Sequence, residues 1–130
     1  MIVIINIIFI FSRSFLAVNN SMLYTYMISD GHNNIKVGIS DKPERRLKQL
    51  QTGHPYPLEI IFTEEFNCER NRMLKIEKKL HEEMGVKYKK LHGEWFLIEE
   101  NQIESVKNLL IWFLTKFLPF LLNSEQLFEQ

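Results

Sequence analysis

Four pairs of residues follow one another through the middle of the chain, reactive side chains in all but one member, Gly38: Tyr24 with Tyr26, Lys36 with Gly38, Arg45 with Arg46, and Glu77 with His81. Phenol, ammonium, guanidinium, carboxylate and imidazole together are the groups that handle a phosphodiester. Cutting one requires an activated water, a cation or donor for the charge building on phosphorus, and help for the departing oxygen. Mg²⁺ keeps several of its own waters and needs few protein ligands, so a single carboxylate such as Glu77 is a sufficient candidate ligand. Glu77 and His81 stand four residues apart and share one helix face, which lets both enter one groove. Lys36, Arg45, Arg46 and Lys48, with the basic loop Lys87, Lys89 and Lys90, supply cations for a phosphate backbone.

Each of these residues has an ordinary alternative. Glu77 lies among lysines and reads equally as a solvated ion-pair partner. Arg46 reads as a surface arginine, and His81 as a structural hydrogen-bonding group. Tyr24 and Tyr26, two apart on one strand face, include at least one expected core filler. Gly38 near a strand end admits a close ligand or backbone, or marks a bulge. Trp95 is expected to plug the core rather than stack on a base.

The elements that must position these groups are legible from periodicity and turn chemistry. Leu23 to Ile28 reads as a strand, Asp30 to Asn34 as a turn, and Ile35 to Ile39 as the returning hairpin strand. Asp41-Lys42-Pro43-Glu44 predicts a helix start with Asp41 as N-cap, Pro43 in the first turn and Glu44 closing a capping box; the helix runs to Gly53. Leu58 to Thr63 predicts a third strand. A second helix is expected from about Cys68 to Met84, with a buried stripe of Met73, Ile76, Leu80 and Met84 and a left-handed cap at Gly85. Gly93 to Ile98 predicts a short edge strand, and a final helix starts near Asn101. The order β-β-α-β-α-β-α implies an α/β fold: a small, mainly antiparallel sheet flanked by helices, with an extra C-terminal hydrophobic helix.

Lys36-Val37-Gly38-Ile39-Ser40, Arg46-Leu47-Lys48-Gln49-Leu50-Gln51-Thr52-Gly53, Glu77-Lys78-Lys79-Leu80-His81 and Gly93-Glu94-Trp95-Phe96, in that order, resemble the GIY-YIG nuclease superfamily. Within it the phage T-five-type DNA-binding branch is the most similar, over residues 23 to 98. The resemblance implies that Glu77 holds Mg²⁺ or Mn²⁺ and that Arg46, eight residues after Gly38, contacts the scissile phosphate. Tyr26, with Tyr24 as the alternative, activates or positions the water, and His81 assists as acid, base or phosphate contact. The second motif tyrosine would stand two residues before Gly38, and Lys36 occupies that place. The full catalytic set therefore does not carry over, and two readings follow: a metal-dependent endonuclease, or a non-catalytic module that binds DNA.

Composition narrows the remaining choices. The chain has 130 residues, 45% of them apolar, and no formal net charge, which suits one compact domain and excludes bulk basicity as the source of nucleic-acid affinity. Its charge is unevenly placed: residues 36 to 92 hold 13 Lys and Arg against 9 Asp and Glu. Cys68 is the only cysteine, so no intramolecular disulfide can form, and an intracellular location (cytoplasm or nucleus) rather than secretion is expected. The histidines lack structural-zinc spacing.

Three regions are expected: a hydrophobic extension over 1–21, the motif-bearing domain over 22–100, and a C-terminal helix and tail over 101–130. The apolar run at residues 1 to 10 has no preceding positive charge and is shorter than the ~20 residues that cross a bilayer. Met22 is an alternative start from which the domain is expected to fold alone. Beyond Trp112 the apolar residues are too many for one face, which leaves extra core, a self-association or partner surface, and membrane contact as competing readings.

Overall fold

The computed structural model of the protein describes residues 20–129. The apolar run at residues 1 to 10 lies outside them. β1 (Asn20–Ser29) and β2 (Asn34–Ser40), covered on both faces over most of their length, pair as an antiparallel hairpin, with Tyr26 opposite Gly38 and Ile28 opposite Lys36. The connecting turn is held by Asp30, whose carboxylate accepts from His32 N–H at 2.8 Å and from the Asn34 side-chain amide at 2.8 Å. β1 starts at Asn20, ahead of the expected Leu23, because Asn20 and Ser21 still pair with Glu69 and Cys68.

β3 (Glu59–Glu69) is longer than the sequence suggests. Glu64 and Glu65 look like a strand end, yet Phe66 and Cys68 continue the inward alternation beside Leu23 and Ser21. A register shift between Met27 and Ile28 turns Ile60 to the opposite sheet face from Phe62. β4 (Lys89–Lys90) and β5 (Trp95–Leu97) complete a five-stranded sheet in the order β3-β1-β2-β5-β4, antiparallel throughout. β5 is therefore an inner strand and not the expected edge; the two-residue β4, made of exposed lysines, is the edge. Short length and charge both discourage pairing with another chain.

Residue parity sorts the two faces. Leu23, Met27, Ile35, Val37 and Ile39 face one way and pack with Ile76, Leu80 and Met84 of α2 (Met73–Lys87) and Val106, Leu109 and Leu110 of α3 (Ile103–Trp112). Tyr26 and Ile28 face the other way, where Leu47 and Leu50 of α1 (Pro43–Gln51) cover them together with Leu58 and Trp95.

Two expected helix signals are corrected. Asp41 is not the N-cap of α1: Lys42 takes that position without a side-chain cap bond, and the Asp41 carboxylate is held by Arg45 and Arg70 instead. Gly85 is not a left-handed cap. It lies within α2, which runs on through Val86 and Lys87 until Tyr88 N–H bonds the Met84 carbonyl at 2.9 Å. The left-handed glycine that does end a helix is Gly53, at φ +80° just past α1. A short 3₁₀ turn, Arg70–Arg72, intervenes between β3 and α2, so α2 begins later than Cys68.

α3 continues through a π segment, Phe113–Phe117, into α4 (Leu118–Glu129). Pro119 explains the wide turn: it lacks an N–H and its ring would strike the Thr115 carbonyl in regular α geometry. Leu118 N–H accordingly reaches back five residues to the Phe113 carbonyl. Phe113, Leu114, Leu118 and Leu122 are buried in the main core, whereas Ile111, Trp112 and Phe120 are exposed. Glu100–Asn123 is long and apolar enough to cross a membrane by length and composition. Its buried leucines nevertheless belong to the same core as the sheet.

Candidate functional site

β5 pairs with β2 only at Asn34, Ile35 and Lys36, which leaves the outer edge of β2 open from Val37 to Ile39. The backbone groups there need partners, and α2 supplies them with the two residues four apart. Glu77 Oε2 accepts from Ile39 N–H at 2.7 Å, and His81 Nε2 lies 2.6 Å from the Val37 carbonyl, to which it donates. This fixes the imidazole tautomer in the neutral ring and leaves Nδ1 as the acceptor.

Glu94, in the turn before β5, joins them. The ligand atoms of Glu77, His81 and Glu94 lie within 4.8 Å of one another. Lys36, 4% exposed, donates to Glu94 Oε2 at 2.7 Å and so compensates its own burial. Burial pushes the Glu77 carboxyl above its ordinary value despite the Ile39 N–H bond, and the neighbouring Glu94 charge pushes the same way. Burial acts to raise Glu94 too, but the Lys36 hydrogen bond and charge outweigh it and hold Glu94 below the ordinary value. Of the two neighbouring carboxyl groups, Glu77 is therefore the one that takes up a proton more readily.

On the α1 side, Tyr26 is 1% exposed and meets both Arg46 and Glu77. Burial pushes its phenol up to about 12, against the hydrogen bond from Arg46. Gly38 sits opposite Tyr26 for a steric reason: a Cβ there would collide with the Tyr26 hydroxyl and stand 3.0 Å from Glu77 Oε2. The glycine is thus required by close approach and not by an unusual φ.

A groove passes over these groups in two lobes. The first, about 380 Å³, is lined by Tyr26, Arg45, Arg46, Arg70 and Asp41; the second, about 560 Å³, by His81, Lys78 and Lys90. Glu77, Glu94 and Leu74 line both.

Of the residues expected from the sequence, Tyr26, Arg45, Arg46, Glu77, His81 and Lys90 line this groove, with Gly38 and Lys36 packed directly against it through Tyr26, Glu77 and Glu94. Tyr24, Lys48, Lys87 and Lys89 line neither lobe. Trp95 stacks on His54 with ring centroids 5.5 Å apart and packs beside Tyr26 and Ile28. Glu94 and Arg70 were not singled out by sequence reasoning. Glu94 carried one signal, its place in Gly93-Glu94-Trp95-Phe96; Arg70 carried none.

The family model described as T5orf172 domain matches residues 21–111. The chain belongs to the T5orf172 domain family. Membership makes it a phage-associated, nucleic-acid-related module. The match spans all five strands, α1, α2 and nearly all of α3, so every groove residue named above falls inside the T5orf172 domain. No curated protein and no solved structure significantly matches the chain.

Proposed function

We propose that this T5orf172 domain binds DNA and is a GIY-YIG-type endonuclease that hydrolyses a phosphodiester with Mg²⁺ or Mn²⁺. The observation that carries the reading is the convergence of Glu77, His81 and Glu94 within 4.8 Å, in one groove with Tyr26 and Arg46. The donor set suits a hard divalent cation: each carboxylate spends Oε2 on a protein partner and keeps Oε1, while His81 keeps Nδ1. A cation held there would acidify a bound water and offset charge on the phosphate. Arg46 binds the phosphate as a planar cation. Tyr26 keeps its proton at neutral pH and acts as a donor that positions a water or a phosphate oxygen. Lys36 keeps Glu94 ionised and oriented.

A second reading, DNA binding without cutting, is favoured by one observation: a phenol pushed up to about 12 is scarcely ionised at neutral pH, so little of it is available to deprotonate a water. The two separate in a nicking assay on branched and linear DNA with Mg²⁺, Mn²⁺ or chelator. The endonuclease reading expects metal-dependent nicking that Glu77→Gln abolishes. Equal nicking by both proteins, or none with any metal while DNA is bound, rejects it.

A further inference from the structure

Arg46 has two neighbours of its own kind in the first lobe. Arg45, from the start of α1, and Arg70, from the turn after β3, converge on one carboxylate: Arg45 Nη2 donates to Asp41 Oδ1 at 2.9 Å and Arg70 Nη2 to Asp41 Oδ2 at 2.8 Å. All three line the lobe that holds Arg46 and Glu77. Two guanidinium groups on the two oxygens of a single anion reproduce the geometry with which arginines grip phosphate oxygens. Each arginine spends one of its five donors on Asp41. Their side chains stay 53% and 59% exposed, whereas Asp41 is 19% exposed beneath them. Ion pairs this exposed add little to stability, so stability alone gives no reason to join positions 29 residues apart in sequence.

We propose that Arg45 and Arg70 form a second phosphate subsite, for a backbone phosphate flanking the one at Arg46, and that Asp41 is an internal stand-in for that phosphate which incoming DNA displaces. The inference rests on the DNA-binding reading above and adds a contact on the side of the groove away from His81. Asp41 lowers affinity in this arrangement, because it occupies the fork and repels the backbone.

The test measures binding of the full chain to a short duplex in chelator, by fluorescence anisotropy over a range of salt concentrations. Arg70→Gln is expected to weaken binding about tenfold at low salt and to reduce the slope of log K against log salt by about 0.9, the loss of one phosphate contact. Arg70→Lys, which keeps the charge and loses the fork, is expected to fall between the two. Asp41→Asn is expected to tighten binding about threefold or more, a gain that disappears when Arg70→Gln is added. Unchanged affinity and slope in folded Arg70→Gln, or weaker binding by folded Asp41→Asn, overturns the proposal. Arg46→Gln separates the two levels. A steep wild-type salt dependence that Arg46→Gln alone reduces rejects the second subsite and leaves the DNA reading standing; a flat wild-type response rejects both.

Discussion

Glu77 Oε2 accepts the Ile39 N–H at 2.7 Å, so the carboxylate that faces the groove also completes the unpaired edge of β2. A substitution there changes two things at once. Glu77→Ala orphans a part-buried donor and is expected to cost about 1–3 kcal/mol of stability. Glu77→Gln keeps an acceptor oxygen and removes the charge. Thermal unfolding should show a clear loss for alanine and a small change for glutamine; equal losses would show that the Ile39 bond is not what holds the edge.

Gly38 and Tyr26 are locked together by space. Gly38→Ala places a methyl against the Tyr26 ring and Glu77, and the buried tyrosine has little room to retreat. A loss of about 1–3 kcal/mol is expected, typical of overpacking. Wild-type stability in Gly38→Ala, by chemical denaturation, would contradict the close approach.

The carboxyl pair sets a pH dependence. Glu77 is raised above 4.5, so the stability its protonated form contributes is complete below that value and is lost as pH rises through its higher folded value. Glu94 is lowered, so its contribution is present above 4.5 and is lost as pH falls through its lower folded value. A cation bound at Glu77 would compete with protons for its carboxylate, and its affinity should therefore rise with pH until Glu77 is ionised. Melting temperature against pH, with and without Mn²⁺, checks this: the two curves should separate progressively as pH increases. Curves separated equally at every pH would contradict it.

Asp30 is 5% exposed and accepts bonds from His32 and Asn34, which hold its carboxyl below the ordinary value against the cost of burial. Asp30→Ala is expected to destabilise the β1–β2 turn by about 1–3 kcal/mol, read as a lower melting temperature. Asp30→Asn should lose less, because it retains an acceptor.

Much of this arrangement was legible because the signals were local. The four-residue step from Glu77 to His81 placed both on one helix face, and the Ile76, Leu80 and Met84 stripe turned that helix correctly toward the sheet. What escaped notice was set by tertiary partners. Asp41 carries the pattern of a capping residue, yet Arg70 competes for its carboxylate from another element. Glu94 reaches the site only through the register of a three-residue strand, which no window of the sequence specifies. The extension of β3 was hidden by Glu64 and Glu65, whose charges imitate a strand end while Phe66 and Cys68 continue the inward face.

On the endonuclease reading proposed above, Glu77, Glu94 and His81 would hold one divalent cation beside Tyr26 and Arg46. Mn²⁺ titration of the full chain, followed by electron paramagnetic resonance, tests it directly. One bound ion is expected in the wild type, weakened at least about tenfold by Glu77→Gln and again by Glu94→Gln, each removing one anionic ligand. Equal Mn²⁺ affinity in all three folded proteins, or no bound ion in the wild type at neutral pH, would contradict the account.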